Sequence, residues 1–119
     1  MSLNKEQALF LLDACKLIQW ATEQGWMVTG GELLRPVEMQ EIYVKTGRSK
    51  TMNSKHLRKL AIDLNFFKDG KYICTVDELA EIGHKWEELS TNNRWGGNFN
   101  KDWSKPDNFK DAPHFERVV

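Results

Sequence analysis

One stretch of the chain decides the fold: Leu60-Ala61-Ile62-Asp63-Leu64-Asn65-Phe66-Phe67-Lys68-Asp69-Gly70-Lys71-Tyr72-Ile73-Cys74-Thr75. From residue 60 to 67 large apolar side chains mostly alternate with small or polar ones, which predicts a strand with one apolar and one polar face. The segment 68–71 has the composition of a hairpin turn, so residues 72–75 are predicted to return as an antiparallel strand. Asp63 falls on the polar face, beside the small Ala61.

Helical patterns flank this hairpin on both sides. Before it, residues 4–24 predict an amphipathic helix with Asn4 as N-cap and Gly25 as stop signal, and its apolar stripe would comprise Ala8, Leu11, Leu12, Cys15, Ile18 and Ala21. A short strand is predicted at 26–29, and a second helix runs from Pro36 to about residue 45. After the hairpin, residues 76–89 predict a third helix with its own apolar stripe.

The tail beyond residue 92 is rich in Gly, Asn, Asp and Pro, so it is predicted to be mostly loop, with short strands near Arg94-Trp95 and around His114. The resulting fold class is α+β, a small antiparallel sheet carrying Asp63 and His114 with about three helices packed around it. No repeat or long linker divides residues 1–119, which we expect to form a single domain.

Composition excludes several classes of protein. The chain has 17 basic and 17 acidic residues, so no global charge draws it to nucleic acid or to an anionic membrane. No segment approaches the roughly 20 apolar residues of a membrane helix, and the first residues lack the pattern of a signal peptide. We therefore expect synthesis in the cytoplasm without membrane insertion. The two cysteines, Cys15 and Cys74, lack CxxC spacing and are expected to be small buried residues.

Three residues with metal-binding side chains stand out: His56, Asp63 and His114. Two imidazoles and one carboxylate would leave a tetrahedral zinc ion with one open position, the hallmark of a catalytic zinc. Asp111, three residues before His114, would be a proton acceptor for a metal-bound water. Spacing alone leaves ordinary surface or core roles open for each of these residues.

The residues also resemble a known family. The pattern Ser54-x-His56-x-x-x-x-Ala61-x-Asp63, followed by Trp95-Gly96-Gly97 and then by Asp111-x-x-His114, is similar to the zinc peptidases that trim peptidoglycan peptides. That family includes D-alanyl-D-alanine carboxypeptidases and the L-alanyl-D-glutamate endopeptidases used as phage endolysins. The resemblance spans about residues 26–116, and it looks closest to the phage branch.

The resemblance implies a hedgehog/DD-peptidase type of fold and a role for each matching residue. One zinc ion would be held by His56, Asp63 and His114, and Asp111 would be the catalytic acid/base, with Glu116 as the alternative base. Arg35 would contact the substrate and the developing negative charge. Ser54 and Trp95 would line the substrate cleft.

The function that the resemblance implies is zinc-dependent hydrolysis of an amide bond in the peptidoglycan stem peptide. Phage-like details favour L-alanyl-D-glutamate endopeptidase over D-alanyl-D-alanine carboxypeptidase activity. The enzyme would be a monomer and a phage or prophage lysis protein that reaches the cell wall with the help of a partner such as a holin. No nucleic acid is expected as a partner.

Two other interpretations remain open. Residues 45–59 contain six Lys or Arg and no acidic residue, so residues 36–67 could form a winged-helix-like module that binds nucleic acid. Against this, residues 60–67 alternate with period two rather than 3.6. Alternatively, the domain could keep the fold and the zinc without catalysis, as a binding domain.

Overall fold

The computed structural model describes residues 2–33, 37–47, 55–103 and 110–119. In chain order the elements are α1 (Leu3–Glu23), β1 (Met27–Gly30), α2 (Val37–Lys45), a 3₁₀ turn (Lys55–Arg58), β2 (Ala61–Lys68), β3 (Lys71–Ile73), α3 (Val76–Leu89), β4 (Asn93–Trp95) and β5 (His114–Arg117). The predicted α+β class is confirmed, and every predicted helix and strand is present with ends displaced by at most two residues.

Strand β2 is the centre of the sheet. The strands follow the order β1-β2-β5-β4, all neighbours are antiparallel, and β3 pairs with the end of β2 as the second arm of the hairpin. β1 and β3 both pair with Phe66 and Phe67, so they lie on opposite edges of β2. β5 shares the β3 edge, where Asp63 faces His114. This topology brings the beginning of β5 next to the end of β3.

The two faces of the sheet differ, as the alternation along β2 predicts. One face carries Leu64 and Phe66 into the core, where Phe66 contacts Phe115, and Phe115 contacts Trp86 of α3 edge to face. Phe10 of α1 packs against the same indole. The other face carries Asp63 and His114, which are cross-strand partners and therefore project to the same side.

Helix α1 buries a face that matches the predicted one only in part: Ala21 is buried and Ile18 packs against the core, whereas the other four predicted residues are exposed. Its buried residues are Glu6, Phe10, Asp13, Ala14, Leu17 and Ala21. Leu11 and Leu12 are both 52% exposed, and Cys15 is also exposed. The helix is apolar on more than one side, so its rotation is set by specific partners: Glu6 pairs with Arg117, and Asp13 accepts a hydrogen bond from Asn93. The predicted N-cap is also wrong: Ser2, not Asn4, caps the helix.

The structure corrects the expectation for the cysteines and argues against the nucleic-acid interpretation. Cys74, like Cys15, is exposed, so neither cysteine is the buried residue that was expected. The segment that a winged-helix module would use as its recognition helix is strand β2, at the centre of the sheet. The nucleic-acid interpretation is therefore not favoured. Among the described residues, no helix has the length and apolar character needed to cross a membrane.

Candidate metal centre

Three side chains converge on the polar face of the sheet. His56 Nε2 lies 3.2 Å from His114 Nδ1 and 3.3 Å from Asp63 Oδ1, and His114 Nδ1 lies 3.6 Å from the same oxygen. His56 and His114 are almost fully buried, whereas Asp63 is partly exposed. Within the described parts of the chain this is the cluster whose donor atoms could hold a metal ion, and it contains the three residues predicted from the sequence.

The distances fit a tetrahedral ion. Zinc binds imidazole nitrogen and carboxylate oxygen at about 2.0–2.2 Å, so neighbouring ligand atoms of a tetrahedral site stand roughly 3.3–3.5 Å apart. The three measured separations lie close to that range. In addition, Asp63 Oδ1 is a buried oxygen that accepts no hydrogen bond from the described residues. A buried, unsatisfied carboxylate oxygen beside two imidazole nitrogens is a donor set that suits a metal ion.

Each imidazole is oriented by a partner on its other nitrogen. His56 lies in the 3₁₀ turn before β2, and its Nδ1 lies 3.0 Å from the carbonyl oxygen of Leu33. Because a carbonyl can only accept, Nδ1 carries the proton and the lone pair of Nε2 faces the cluster. His114 is oriented the other way round: its Nε2 donates to Glu116 Oε1 at 2.6 Å, so that Nδ1 faces Asp63 and is the nitrogen that could coordinate a metal after losing its proton.

Glu116 connects His114 to a second charge. It is a cross-strand partner of Arg94, and Arg94 Nε donates to Glu116 Oε2 at 2.8 Å. A carboxylate behind a metal-binding histidine fixes the ring and raises its basicity. Glu116 is therefore occupied by His114 and Arg94, which argues against its alternative role as the base. Arg94 was missed as a functional residue, although its position two residues before Gly96 placed it beside the motif.

The electrostatics of the cluster are those of a strongly coupled ion pair. Burial alone would raise the pKa of Asp63, but the adjacent His114 and His56 outweigh it and hold that pKa well below its usual range. Burial alone would lower the pKa of His114, but the carboxylates of Asp63 and Glu116 raise it to about 9. The pKa of Glu116 is lowered because His114 and Arg94 outweigh the opposing effect of burial. The raised pKa favours the protonated form of His114 between the carboxylates of Asp63 and Glu116.

Asp111 is fixed beside this cluster through its backbone. Its N–H donates to the carbonyl oxygen of Gly96, and its carbonyl oxygen accepts from the N–H of His114. Gly96 in turn donates its N–H to the carbonyl oxygen of His114. A Cβ on Gly96 would lie 2.0 Å from the carbonyl oxygen of Asp111 and 2.8 Å from His114 Cβ, so only glycine permits this approach. Gly96 therefore holds Asp111, the candidate base, next to His114.

Trp95 corrects one prediction. Its cross-strand partner is Phe115, so its side chain projects to the helix-covered face, away from Asp63 and His114. The indole is fully buried and donates its N–H to the carbonyl oxygen of Ala112. Trp95 is a core residue that supports the segment 111–114 and does not line a cleft.

Two predicted site residues cannot be placed. Arg35 and Ser54 lie outside the described residues, so their predicted substrate contacts stay predictions. The third histidine of the chain, His84, is exposed, and its ring stacks on Trp103 at a centroid distance of 3.6 Å.

Comparison with known proteins agrees with this geometry. The family model described as "Phage L-alanyl-D-glutamate peptidase" matches residues 13–118. An L-alanyl-D-glutamate peptidase of Listeria phage A118 is 34% identical over 105 residues, which cover 87% of this chain and 34% of that protein. The chain thus spans about a third of the length of this curated relative.

A solved structure shows the same fold. The crystal structure of the Serratia marcescens L-Ala D-Glu endopeptidase ChiX matches with a TM-score of 0.66 and 26% sequence identity, covering 89% of this chain and 78% of that one. Nearly the whole chain therefore matches on sequence and on fold, and the His56-Asp63-His114 cluster lies within the matched region. The chain belongs to the phage L-alanyl-D-glutamate peptidase family.

Proposed function

We propose that this chain is a zinc-dependent peptidase that hydrolyses the bond between L-alanine and D-glutamate in the stem peptide of peptidoglycan. The observation that carries the proposal is the triangle of donor atoms from His56, Asp63 and His114, with spacing that suits a tetrahedral ion. Family membership supports the choice of reaction. The similarity to an L-alanyl-D-glutamate peptidase and to an L-Ala D-Glu endopeptidase favours endopeptidase over carboxypeptidase activity.

The metal and the protein would divide the chemistry between them. When bound, zinc supplies a Lewis acid that polarises a carbonyl and brings the pKa of a water ligand to about 7. His56, Asp63 and His114 would hold the ion. Glu116 and Leu33 hold the two imidazoles in the tautomers that coordination requires.

Asp111 is proposed as the general acid/base. Its carboxylate accepts a proton from the attacking water and returns it to the nitrogen of the leaving amine, so that the C–N bond breaks with a neutral leaving group. Asp111 is not one of the three clustered ligands, and its charge contributes to the raised pKa of His114, so it lies within electrostatic reach of the site. Arg35 and Ser54 are proposed to contact the substrate, with Arg35 facing negative charge.

The wider biological setting follows from the same proposal. The protein would act as a monomer on the cell wall, as part of phage or prophage lysis, and a partner such as a holin would give it access. Action on a wall rather than on nucleic acid is consistent with the balanced charge of the chain.

The test combines metal analysis with a single substitution. Purified protein should contain about one zinc ion per chain and should release new amino termini from peptidoglycan in a chelator-sensitive manner. Asp111→Asn should retain zinc and lose about 10²–10⁴-fold in kcat, the usual contribution of a general base. Asp69→Asn, an exposed carboxylate in the hairpin turn, is the matched control and should keep the wild-type rate. A wild-type rate in Asp111→Asn would remove Asp111 from this role.

The cleaved bond distinguishes the two activities. Mass spectrometry of the products should show free L-alanine carboxyl ends and new D-glutamate amino ends. Release of free D-alanine instead would identify the carboxypeptidase.

A further inference from the structure

The polar face of the sheet continues beyond the metal centre as a strip of exposed residues. Asn65 and Phe67 follow Asp63 at alternate positions of β2, so their side chains project to the same face. Tyr72 of β3 is the cross-strand partner of Phe67 and projects to this face as well. Tyr72 is 49% exposed, and Asn65 and Phe67 are half-buried. We call Asn65, Phe67 and Tyr72 the β2–β3 strip.

The strip presents both apolar and polar groups. The ring of Tyr72 contacts the ring of Phe67 at a centroid distance of 5.4 Å, and its hydroxyl donates to Asn65 Oδ1 at 3.5 Å. The hydroxyl thus leans along the strand toward Asp63. Two aromatic rings beside a hydroxyl and a primary amide suit a peptide chain, whose amide groups need donors and acceptors and whose side chains need apolar contact.

Topology links the strip to the catalytic groups. β3 ends on the edge of β2 where β5 begins, so Tyr72 approaches the segment that carries Asp111. The electrostatics agree: besides burial and the nearby Cys74, the charges of Asp111 and Asp63 raise the pKa of Tyr72. Tyr72 is therefore a neutral hydrogen-bonding group that shares one surface with the candidate base and a metal ligand.

Spacing indicates which part of a substrate would reach the strip. Each residue along a strand advances by about 3.3 Å, so Asn65 lies roughly 7 Å from Asp63 along β2. An extended peptide advances by the same amount per residue. A substrate with its scissile carbonyl at the metal would place groups about two residues away over Asn65 and Tyr72.

We propose that the β2–β3 strip is a substrate subsite, in which Tyr72 and Asn65 hydrogen-bond the peptide about two residues from the cleaved bond and the Tyr72 and Phe67 rings pack against it. This inference rests on the proposed peptidase function, because the strip can bind the substrate next to the cleaved bond only if that bond lies at the metal. The strip contributes to affinity and substrate length preference, whereas the metal centre and Asp111 perform the reaction.

The test compares substrates of different length. For an intact stem peptide, Tyr72→Ala should raise KM about tenfold with little change in kcat, because an aromatic contact and a hydrogen bond are lost. Tyr72→Phe keeps the ring and should raise KM about threefold. For a minimal peptide that retains only the two residues flanking the cleaved bond, both variants should match the wild type. The minimal peptide is then extended on its amino side or on its carboxyl side. The extension that restores the effect of Tyr72→Ala on KM identifies the half of the substrate that the strip binds.

Lys71→Ala is the matched control. Lys71 precedes Tyr72 on β3 and projects to the opposite face. Its substitution should therefore leave KM and kcat unchanged. Zinc content is measured for every variant. An unchanged KM of Tyr72→Ala on the intact peptide would overturn the inference. An equal rise in KM on the long and minimal peptides, a fall in kcat, or a loss of zinc would overturn it as well, because each would indicate an effect on the site itself.

A binding measurement separates this inference from the proposed function. Adding uncleaved stem peptide to the zinc-loaded Asp111→Asn protein should shift the side-chain amide signals of Asn65 in a ¹⁵N NMR spectrum, and Tyr72→Ala should weaken that titration. If the wild type cleaves nothing, the proposed function fails, and the Asn65 signal in the wild-type protein still decides whether the strip binds peptide. No shift would overturn the subsite.

Discussion

Glu116 lies behind one of the three proposed metal ligands, His114. It accepts hydrogen bonds from His114 Nε2 and from Arg94, so one carboxylate is shared between the His114 ring of the candidate metal centre and a partly exposed guanidinium. Its negative charge makes the ring a better donor to a cation. A glutamine at this position could still accept a hydrogen bond from His114 but would carry no charge.

Glu116→Gln should therefore weaken zinc binding by about 10–100-fold, the usual cost of losing a partner behind a ligand. Competition with a chromophoric chelator measures the affinity, and circular dichroism verifies the fold. Glu88→Gln, on the exposed side of α3, is the matched control and should bind zinc like the wild type. Equal affinities of Glu116→Gln and wild type would show that His114 needs no charged partner.

The protonation state of His114 gives a second prediction at the residue scale. Its pKa of about 9 in the metal-free protein means that the ring is protonated at pH 7.5 and must lose that proton before Nδ1 can bind zinc. Zinc affinity should therefore increase with pH until about pH 9 and level off above it. Calorimetric titrations in buffers of different ionisation enthalpy should report release of about one proton per zinc at pH 7.5. Release of no proton would contradict the raised pKa.

At the scale of single elements, α3 and β4 meet at a glycine. A Cβ on Gly83 would lie 2.1 Å from Cε3 of the buried Trp95 indole. The contact explains why a residue with poor helix propensity lies inside a 14-residue helix. It also positions Trp95, which holds the Ala112 carbonyl and so supports the segment between Asp111 and His114.

Gly83→Ala tests whether the gain in helix propensity or the clash with the Trp95 indole has the larger effect on stability. Helix propensity alone would stabilise the protein by about 1 kcal/mol. Overpacking against a rigid indole costs about 1–3 kcal/mol, and at 2.1 Å the clash should dominate. We expect a net decrease in the free energy of unfolding, measured by urea denaturation. Glu81→Ala, at an exposed position of the same helix, should be neutral or slightly stabilising. Stabilisation by Gly83→Ala would mean that the indole moves aside at little cost.

At the scale of the whole molecule, the metal centre joins parts of the chain that are distant in sequence. His56 belongs to the 3₁₀ turn, Asp63 to β2 and His114 to β5, and 58 positions separate the two histidines. A ligand that binds this arrangement and not the unfolded chain must stabilise the fold. In the described part of the chain, the three side chains contact one another through the His56–His114 hydrogen bond and through the ion pairs of Asp63 with both rings.

Zinc at a hundred times its dissociation constant should therefore stabilise the protein by about 2.7 kcal/mol, which corresponds to a rise in Tm of roughly 10 °C for a domain of this size. Differential scanning calorimetry with and without a chelator measures the shift. Asp63→Asn should abolish most of the shift while the protein still unfolds cooperatively. A Tm independent of zinc in the wild type would exclude a metal ion bound by this cluster.

Local patterns in the chain were enough to predict the helices and strands and to name three residues that the structure brings together. The period-two pattern and the turn chemistry of residues 60–75 specify the hairpin, and the spacing of apolar residues specifies three helices, because these signals are local in the chain. The resemblance of short motifs to a peptidase family identified His56, Asp63 and His114, and the structure brings these three together. Their roles as zinc ligands stay predictions, whereas their proximity follows from the pairing of β2 with β5 and from the turn that carries His56.

Tertiary structure alone decided orientation and partnership. Helix α1 has apolar residues on several sides, so its buried face depends on Glu6 meeting Arg117 across 111 positions of the chain. Trp95 projects into the core because β4 pairs with β5 in the register that places it opposite Phe115. The Arg94–Glu116–His114 connection and the β2–β3 strip depend on the same register. Such pairings are contacts between distant segments, and their free energy depends on how the elements pack, which no local pattern of residues encodes.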